Sequence, residues 1–119
     1  MSKRISEQIK EHELARNQIS VTLPDYASAV GHLVKLAKGD TSGSHAAAQV
    51  LLSLYNGSNW HMDLTDLCNL DIEYLKSALI AIRGRVTLWL EPHNAIDNGT
   101  AIFADLEKQW QHLHTSNRY

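Results

Sequence analysis

The chain reads as mainly α, a compact bundle of four to five helices, on three observations. Apolar residues recur at three- and four-residue spacing in separate segments. Those segments close at glycine or Asn-Gly and reopen at residues suited to helix starts. The composition, 44% hydrophobic and 20% charged over 119 residues, is that of a chain able to bury one core and too short for two.

Residues 2–20 are helix-prone, but their apolar residues are only Ile5, Ile9, Leu14 and Ile19 with Ala15, a thin stripe. Residues 1–20 therefore read as an arm ahead of a single helical domain, 21–119. The arm is either a solvated helix or one that docks on a second subunit through Ile5 and Ile9, four apart on one face.

The first core helix spans 24–38. Pro24 suits a first turn, Thr22 is its expected cap, and Gly39 stops it. Ala27, Val30, Leu33, Val34, Leu36 and Ala37 form its apolar side. After the breaker-rich 39–43, Ser44 is the expected cap of a helix 44–56 carrying Ala46, Ala47, Val50, Leu51 and Leu54, closed at Asn56-Gly57. Residues 58–62 read as extended or irregular, with Trp60 and Met62 on one side and His61 on the other. Asp63 and Asp71 stand where they would cap a short turn, 64–67, and a helix, 72–83. That helix presents Ile72, Leu75, Ala78, Leu79 and Ile82, and Gly84 is its expected stop. Residues 86–90, VTLWL, favour a short strand that could pair with 59–62 as a two-stranded addition to the bundle, although a continued helix also fits. Pro92 breaks the chain, 93–99 is turn-like, and a last helix covers 100–114 with Ile102, Phe103, Leu106, Trp110 and Leu113 inward. Residues 116–119 should fray.

Eleven Lys and Arg against thirteen Asp and Glu leave a formal charge of −2, with no basic excess for a phosphate backbone. A nucleic-acid surface would have to be built locally from Lys35, Lys38, Arg83 and Arg85. The single cysteine, Cys68, forms no internal disulfide and fits a reducing compartment, so a cytoplasmic protein is expected; its apolar neighbours make it a core residue. The first twenty residues are too charged for a signal peptide, and no apolar run approaches a bilayer span, so no membrane partner is expected.

No nucleophile with a base, phosphate loop or cysteine-rich metal signature can be read, and no cofactor is implied. His61 and Asp63 are a legitimate ligand pair for a divalent ion, but the aspartate already has a capping role. His112 and His114, two apart, cannot share a helical face. His93, between Glu91 and Asn94, reads as a turn or packing residue. The expectation is a non-enzymatic protein–protein interaction module, self-associating or binding another protein, through Ile5 and Ile9 of the arm or an exposed part of Trp60 and Trp89. A nucleic-acid-binding accessory protein is the rival, and a small metal-dependent enzyme trails both.

Two blocks carry a resemblance. The first is Tyr55-Asn56-Gly57, Met62, Asp63-Leu64-Thr65-Asp66-Leu67 and Leu70-Asp71; the second is Glu91-Pro92-His93, Ile96, Asn98-Gly99, Phe103, Leu106 and Trp110. Together they resemble an uncharacterised family of small bacterial proteins often encoded on plasmids and other mobile elements, over about Leu33 to Trp110. The stretch Arg85 to Leu90 is more hydrophobic than that pattern. The resemblance implies a fold and a mobile-element setting, and no catalytic residue.

Overall fold

A computed structural model describes residues 4–119; residues 1–3, the first part of the arm, lie outside the described residues. The described chain is mostly helical: α1 (Ile5–Ile19), α2 (Leu23–Ala37), α3 (Ser42–Tyr55), α4 (Ile72–Leu88), α5 (Gly99–Gln109) and α6 (Thr115–Arg118), with 3-10 turns at Leu64–Asn69, Pro92–Asn94 and Gln111–Leu113. The mainly α bundle expected from the sequence is what forms.

α2 packs along both α3 and α4. It buries Tyr26, Ala29, Val30, Leu33, Val34 and Ala37, a stripe at helical spacing. Thr22 caps it as expected, its Oγ1 accepting the Asp25 amide at 3.2 Å. α3 is buried continuously from Ala46 to Leu52 and is the central helix. Its cap is Thr41, not Ser44. The Thr41 hydroxyl accepts the Ser44 amide at 3.0 Å, and the Ser44 hydroxyl, itself buried, bonds Thr41 Oγ1 at 2.9 Å. Where two hydroxyls stand three residues apart, the upstream one takes the capping role and the helix starts earlier.

α4 departs most from the sequence expectation. It runs through Gly84 to Leu88, because Gly84 keeps a helical backbone and its missing side chain makes room for the Tyr26 ring, and the helix closes only at the left-handed Trp89, φ 59°. Residues 86–88 are therefore helix, and no 59–62 with 86–90 pair exists. Trp60 instead makes an isolated bridge to His114. The inward face is made of small residues, Ser77, Ala78, Ala81, Gly84 and Thr87. The Tyr26 ring lies directly on Gly84, and His32 Nδ1 bonds Ser77 Oγ at 2.8 Å while stacking on Tyr74. Leu75 and Ile82 are half-buried, but Leu79 and Ile72, expected in the core, face solvent with 47% and 63% exposure. Small side chains let the α4 backbone approach α2 closely, while Ile72, Leu79 and Val86 turn outward and Leu75 and Ile82 pack at the edge of the core.

Tyr26 is fully buried, and its hydroxyl donates to the Leu90 carbonyl at 2.7 Å. Burial pushes its phenol up from 10.0 to about 12, with Arg85 pulling weakly down and Glu91 weakly up. The stabilising neutral phenol is retained in full below pH 10. Between pH 10 and 12 only the unfolded chain ionises there, so this contribution is lost as pH rises, by roughly 2–3 kcal/mol in all. Urea midpoints measured across that window should fall more steeply for the native chain than for Tyr26→Phe.

The C-terminal segments close one end of the bundle. Phe103, Leu106 and Trp110 are buried as expected, and Trp110 Nε1 donates to the Ala37 carbonyl at 2.9 Å. The Gln109 amide reaches the Lys38 and Gly39 carbonyls, so α5 caps the orphan acceptors that end α2. α5 stops at Gln109, short of 114, and residues 115–118 are a docked helical turn, not frayed. Arg118 pairs with Asp63 at 2.7 Å and donates to the His61 carbonyl, while the Tyr119 hydroxyl meets His61 Nδ1 at 3.0 Å. The Asp63 and Asp71 side chains make no capping hydrogen bond; Asp63 spends its carboxylate on the tail. Cys68 is exposed, correcting its core assignment. Three residues per turn in a 3-10 segment put Leu67 and Leu70 on the inner side and rotate Cys68 away.

α1 buries none of its residues. It is tied to the bundle at its last turns, by Arg16 Nη2 to the Thr87 carbonyl at 3.0 Å and by Arg83 Nε to the Ile19 carbonyl at 2.8 Å. Arg16 opposite Thr87 and Ile19 opposite Arg83 make an antiparallel overlap, so residues before Arg16 continue past the end of α4 for roughly 15 Å. The radius of gyration, 16.2 Å, exceeds the about 13.5 Å of a compact chain this long, and the 56 × 32 × 27 Å extents agree with a projecting arm.

Candidate interaction surface

The left-handed residue that ends α4 is a tryptophan, and its side chain is 79% exposed. Both properties run against stability. A bulky side chain in the left-handed region costs about 1–2 kcal/mol, and an exposed indole returns little of that as burial. Asn98, the other non-glycine residue with positive φ, belongs to a type that tolerates this conformation. Trp89→Gly removes the conformational cost, so the isolated chain should gain about 0.5–1 kcal/mol in urea unfolding. A loss of stability would show that the indole is held by packing.

Around Trp89 the ends of α3 and α4 enclose an open groove of about 450 Å³, lined by Ser53, Leu54, Tyr55, Arg85, Val86 and Trp89. Val86 is 60% exposed, so it and the indole form one apolar lip. Arg85, which lines the groove, is half-buried and its Nε donates to the Leu54 carbonyl at 3.1 Å, tying the two helices together. The groove thus offers an apolar rim, a fixed guanidinium and the Ser53 hydroxyl, a composition suited to a peptide or protein side chain.

The structure separates the other residues singled out in the sequence. Trp60 is only 3% exposed and packs edge-on to His114, so it is no surface anchor in this chain. Ile5 and Ile9 are 75% and 53% exposed on the projecting part of α1. His61 Nδ1 is taken by Tyr119 and the Asp63 carboxylate by Arg118, and among the described residues no three His, Cys, Asp or Glu converge as a metal site. Lys35 and Lys38 stand at one end of the antiparallel α2–α4 pair, Arg83 and Arg85 at the other, roughly 20 Å apart. Arg83 and Arg85 moreover spend N–H groups on backbone carbonyls. His93 is packed edge-on to the Tyr55 ring, its Nδ1 3.5 Å from Glu91 Oε2.

Sequence reading missed a polar tie. Gln49, 2% exposed, donates to Asp66 Oδ2 at 2.6 Å, contacts His45 Nδ1 at 3.1 Å and accepts the Asp63 amide at 2.7 Å. It fastens the 64–69 turn to α3. The helical spacing of His45 and Gln49 was its only signal, since Asp66 arrives from another segment.

No curated protein and no solved structure matches the chain. A family model described as a family of unknown function, DUF7673, matches residues 27–111, from the first turns of α2 to just beyond α5. The match leaves α1 outside and contains the Trp89 groove, and by it the chain belongs to this family of unknown function.

Proposed function

We propose that the chain is a non-enzymatic protein–protein interaction module whose partner docks in the groove beside Trp89. The observation that carries this reading is the indole itself, exposed and held in a left-handed backbone that glycine would adopt at lower cost. Such strain persists where a surface residue serves binding, and tryptophan is the side chain most enriched among interface anchors. Val86 extends the apolar contact, and Arg85 and Ser53 supply polar groups at its edge. A cytoplasmic, bacterial mobile-element setting, implied by the resemblance and by the unpaired Cys68, belongs to the same proposal.

The test is a photo-crosslinking amino acid placed at position 86 of the full chain in its source cell, with adducts identified by mass spectrometry. A discrete protein adduct, reduced at least tenfold by Trp89→Ala, supports the reading. Recovery of nucleic acid, or of no adduct above that from a crosslinker at exposed Gly31, sinks it.

A further inference from the structure

Residues 114–119 lie across residues 59–63 and are held there by hydrogen bonds. The Thr115 amide donates to the Asn59 carbonyl at 2.8 Å, Arg118 Nη1 to the His61 carbonyl at 2.6 Å and Nη2 to Asp63 Oδ2 at 2.7 Å, and the Tyr119 hydroxyl meets His61 Nδ1 at 3.0 Å. Asn117 Nδ2 adds a bond to the Gln111 carbonyl at 2.8 Å. α6 buries none of its residues, and four residues are too few for a helix to stand without such ties. The Asp63 side chain is 54% exposed, so its ion pair with Arg118 is weakened by water and salt. Beneath this segment lies Trp60, buried, bridged to His114 and covered edge-on by the His114 ring at 5.2 Å. The indole Nε1 is itself buried and has no acceptor among the described residues.

We infer that residues 114–119 are a strap that opens while the helical bundle stays folded, and that its opening bares the Trp60 indole. Local opening is easiest where buried apolar contact is scarce and backbone hydrogen bonds lie near solvent, and both conditions hold for this segment. The closed state also leaves a buried donor unpaired at Trp60, a cost removed once water reaches it. Opening has a natural limit at Trp110, which is buried and donates its Nε1–H to the Ala37 carbonyl, so α5 stays in place when the strap lifts. His114 forms one wall of a cavity of about 180 Å³ with Trp60, Glu107, Lys108 and Gln111, and its departure joins that cavity to solvent at the indole. The chain then has two folded states, one with Trp89 alone of these two indoles open to solvent and one with Trp60 open as well. The inference stands on the strap and is independent of any partner at the Trp89 groove.

Hydrogen exchange in the full chain, followed by NMR at the Trp60 indole N–H and at the Leu51 amide in the fully buried centre of α3, tests this. A strap predicts a protection factor at Trp60 lower than that at Leu51 by on the order of 100-fold. Arg118→Gln, which removes both guanidinium bonds, should lower the Trp60 protection about fivefold or more again, and Asp63→Asn, which weakens one of them, about two- to fivefold. Leu51 protection should stay within about twofold in both variants. Asp63→Asn carries the test should Arg118→Gln fail to fold. Equal protection at Trp60 and Leu51 overturns the inference, because the indole would then open only with the whole bundle. Low Trp60 protection that neither variant changes overturns it too, because water would be reaching the indole past a closed strap, and so does a variant that lowers both probes together.

Discussion

Gly99→Ala should destabilise the chain by roughly 2–4 kcal/mol, the larger effect among its glycine-to-alanine changes. Gly99 opens α5, is buried, and is approached from outside its helix by backbone. An added Cβ would stand 2.9 Å from the His93 Cα and closer still to the carbonyl that follows it. Relief requires the Pro92–Asn94 turn to move. That turn is itself anchored, with Pro92 fully buried and the His93 ring against Tyr55 and Phe103. The strain should therefore spread into the α3–α5 contact and appear as a lower urea midpoint with the slope unchanged. A change of under 0.5 kcal/mol would mean that the turn yields freely and that the close approach is not needed for the fold.

Gly84→Ala should cost about 1–3 kcal/mol although alanine is the better helix former. Its Cβ would lie 2.7 Å from Cγ of Tyr26 and 3.0 Å from Cε1, and the ring cannot swing away because it is fully buried with its hydroxyl bonded to Leu90. Overpacking at that contact exceeds the propensity gain of about 1 kcal/mol. Gly31→Ala isolates the two effects. Gly31 is an exposed mid-helix glycine of α2 with nothing within 4 Å of an added Cβ, so the same change should stabilise by about 0.5–1 kcal/mol. Should Gly84→Ala stabilise as Gly31→Ala does, the proposed seating of α4 on Tyr26 is wrong.

Gly84 also shows where sequence reasoning stops. As a residue after a periodic run, it looks like any helix terminator, and only the ring of Tyr26, far away in the chain, explains its presence inside α4. Packing also splits the assigned face of α4, where Ala78 is buried and Leu75 and Ile82 lie half-buried on the core while Leu79 and Ile72 face solvent. Leu75, Leu79 and Ile82 outweigh Ser77, Ala78 and Ala81 on any hydrophobicity scale, yet the small side wins the core because it allows close approach, and Leu79 is left outside. Trp89 was singled out as an interaction candidate from its type alone, and its left-handed backbone and exposure, the stronger argument for proposing it, are invisible in sequence. Trp60 had the same apparent credentials and is buried, since the tail returns through Thr115, whose amide donates to the Asn59 carbonyl at 2.8 Å, and places His114 over the indole.

The local signals by themselves determined the helical class, the Thr22 start of α2, the breaks at Gly39 and at Asn56-Gly57, and the inward side of α5 at Phe103, Leu106 and Trp110. These are set by near-neighbour chemistry, by backbone conformations open to particular residues and by the 3.6-residue period, all legible within a few positions. Which side of α4 meets the core, where that helix ends, which tryptophan reaches solvent and what the aspartates bind were decided only by tertiary packing. Those outcomes depend on the distance at which helices far apart in the chain approach each other, and that distance is set by contacts such as Tyr26 on Gly84 that no local pattern contains.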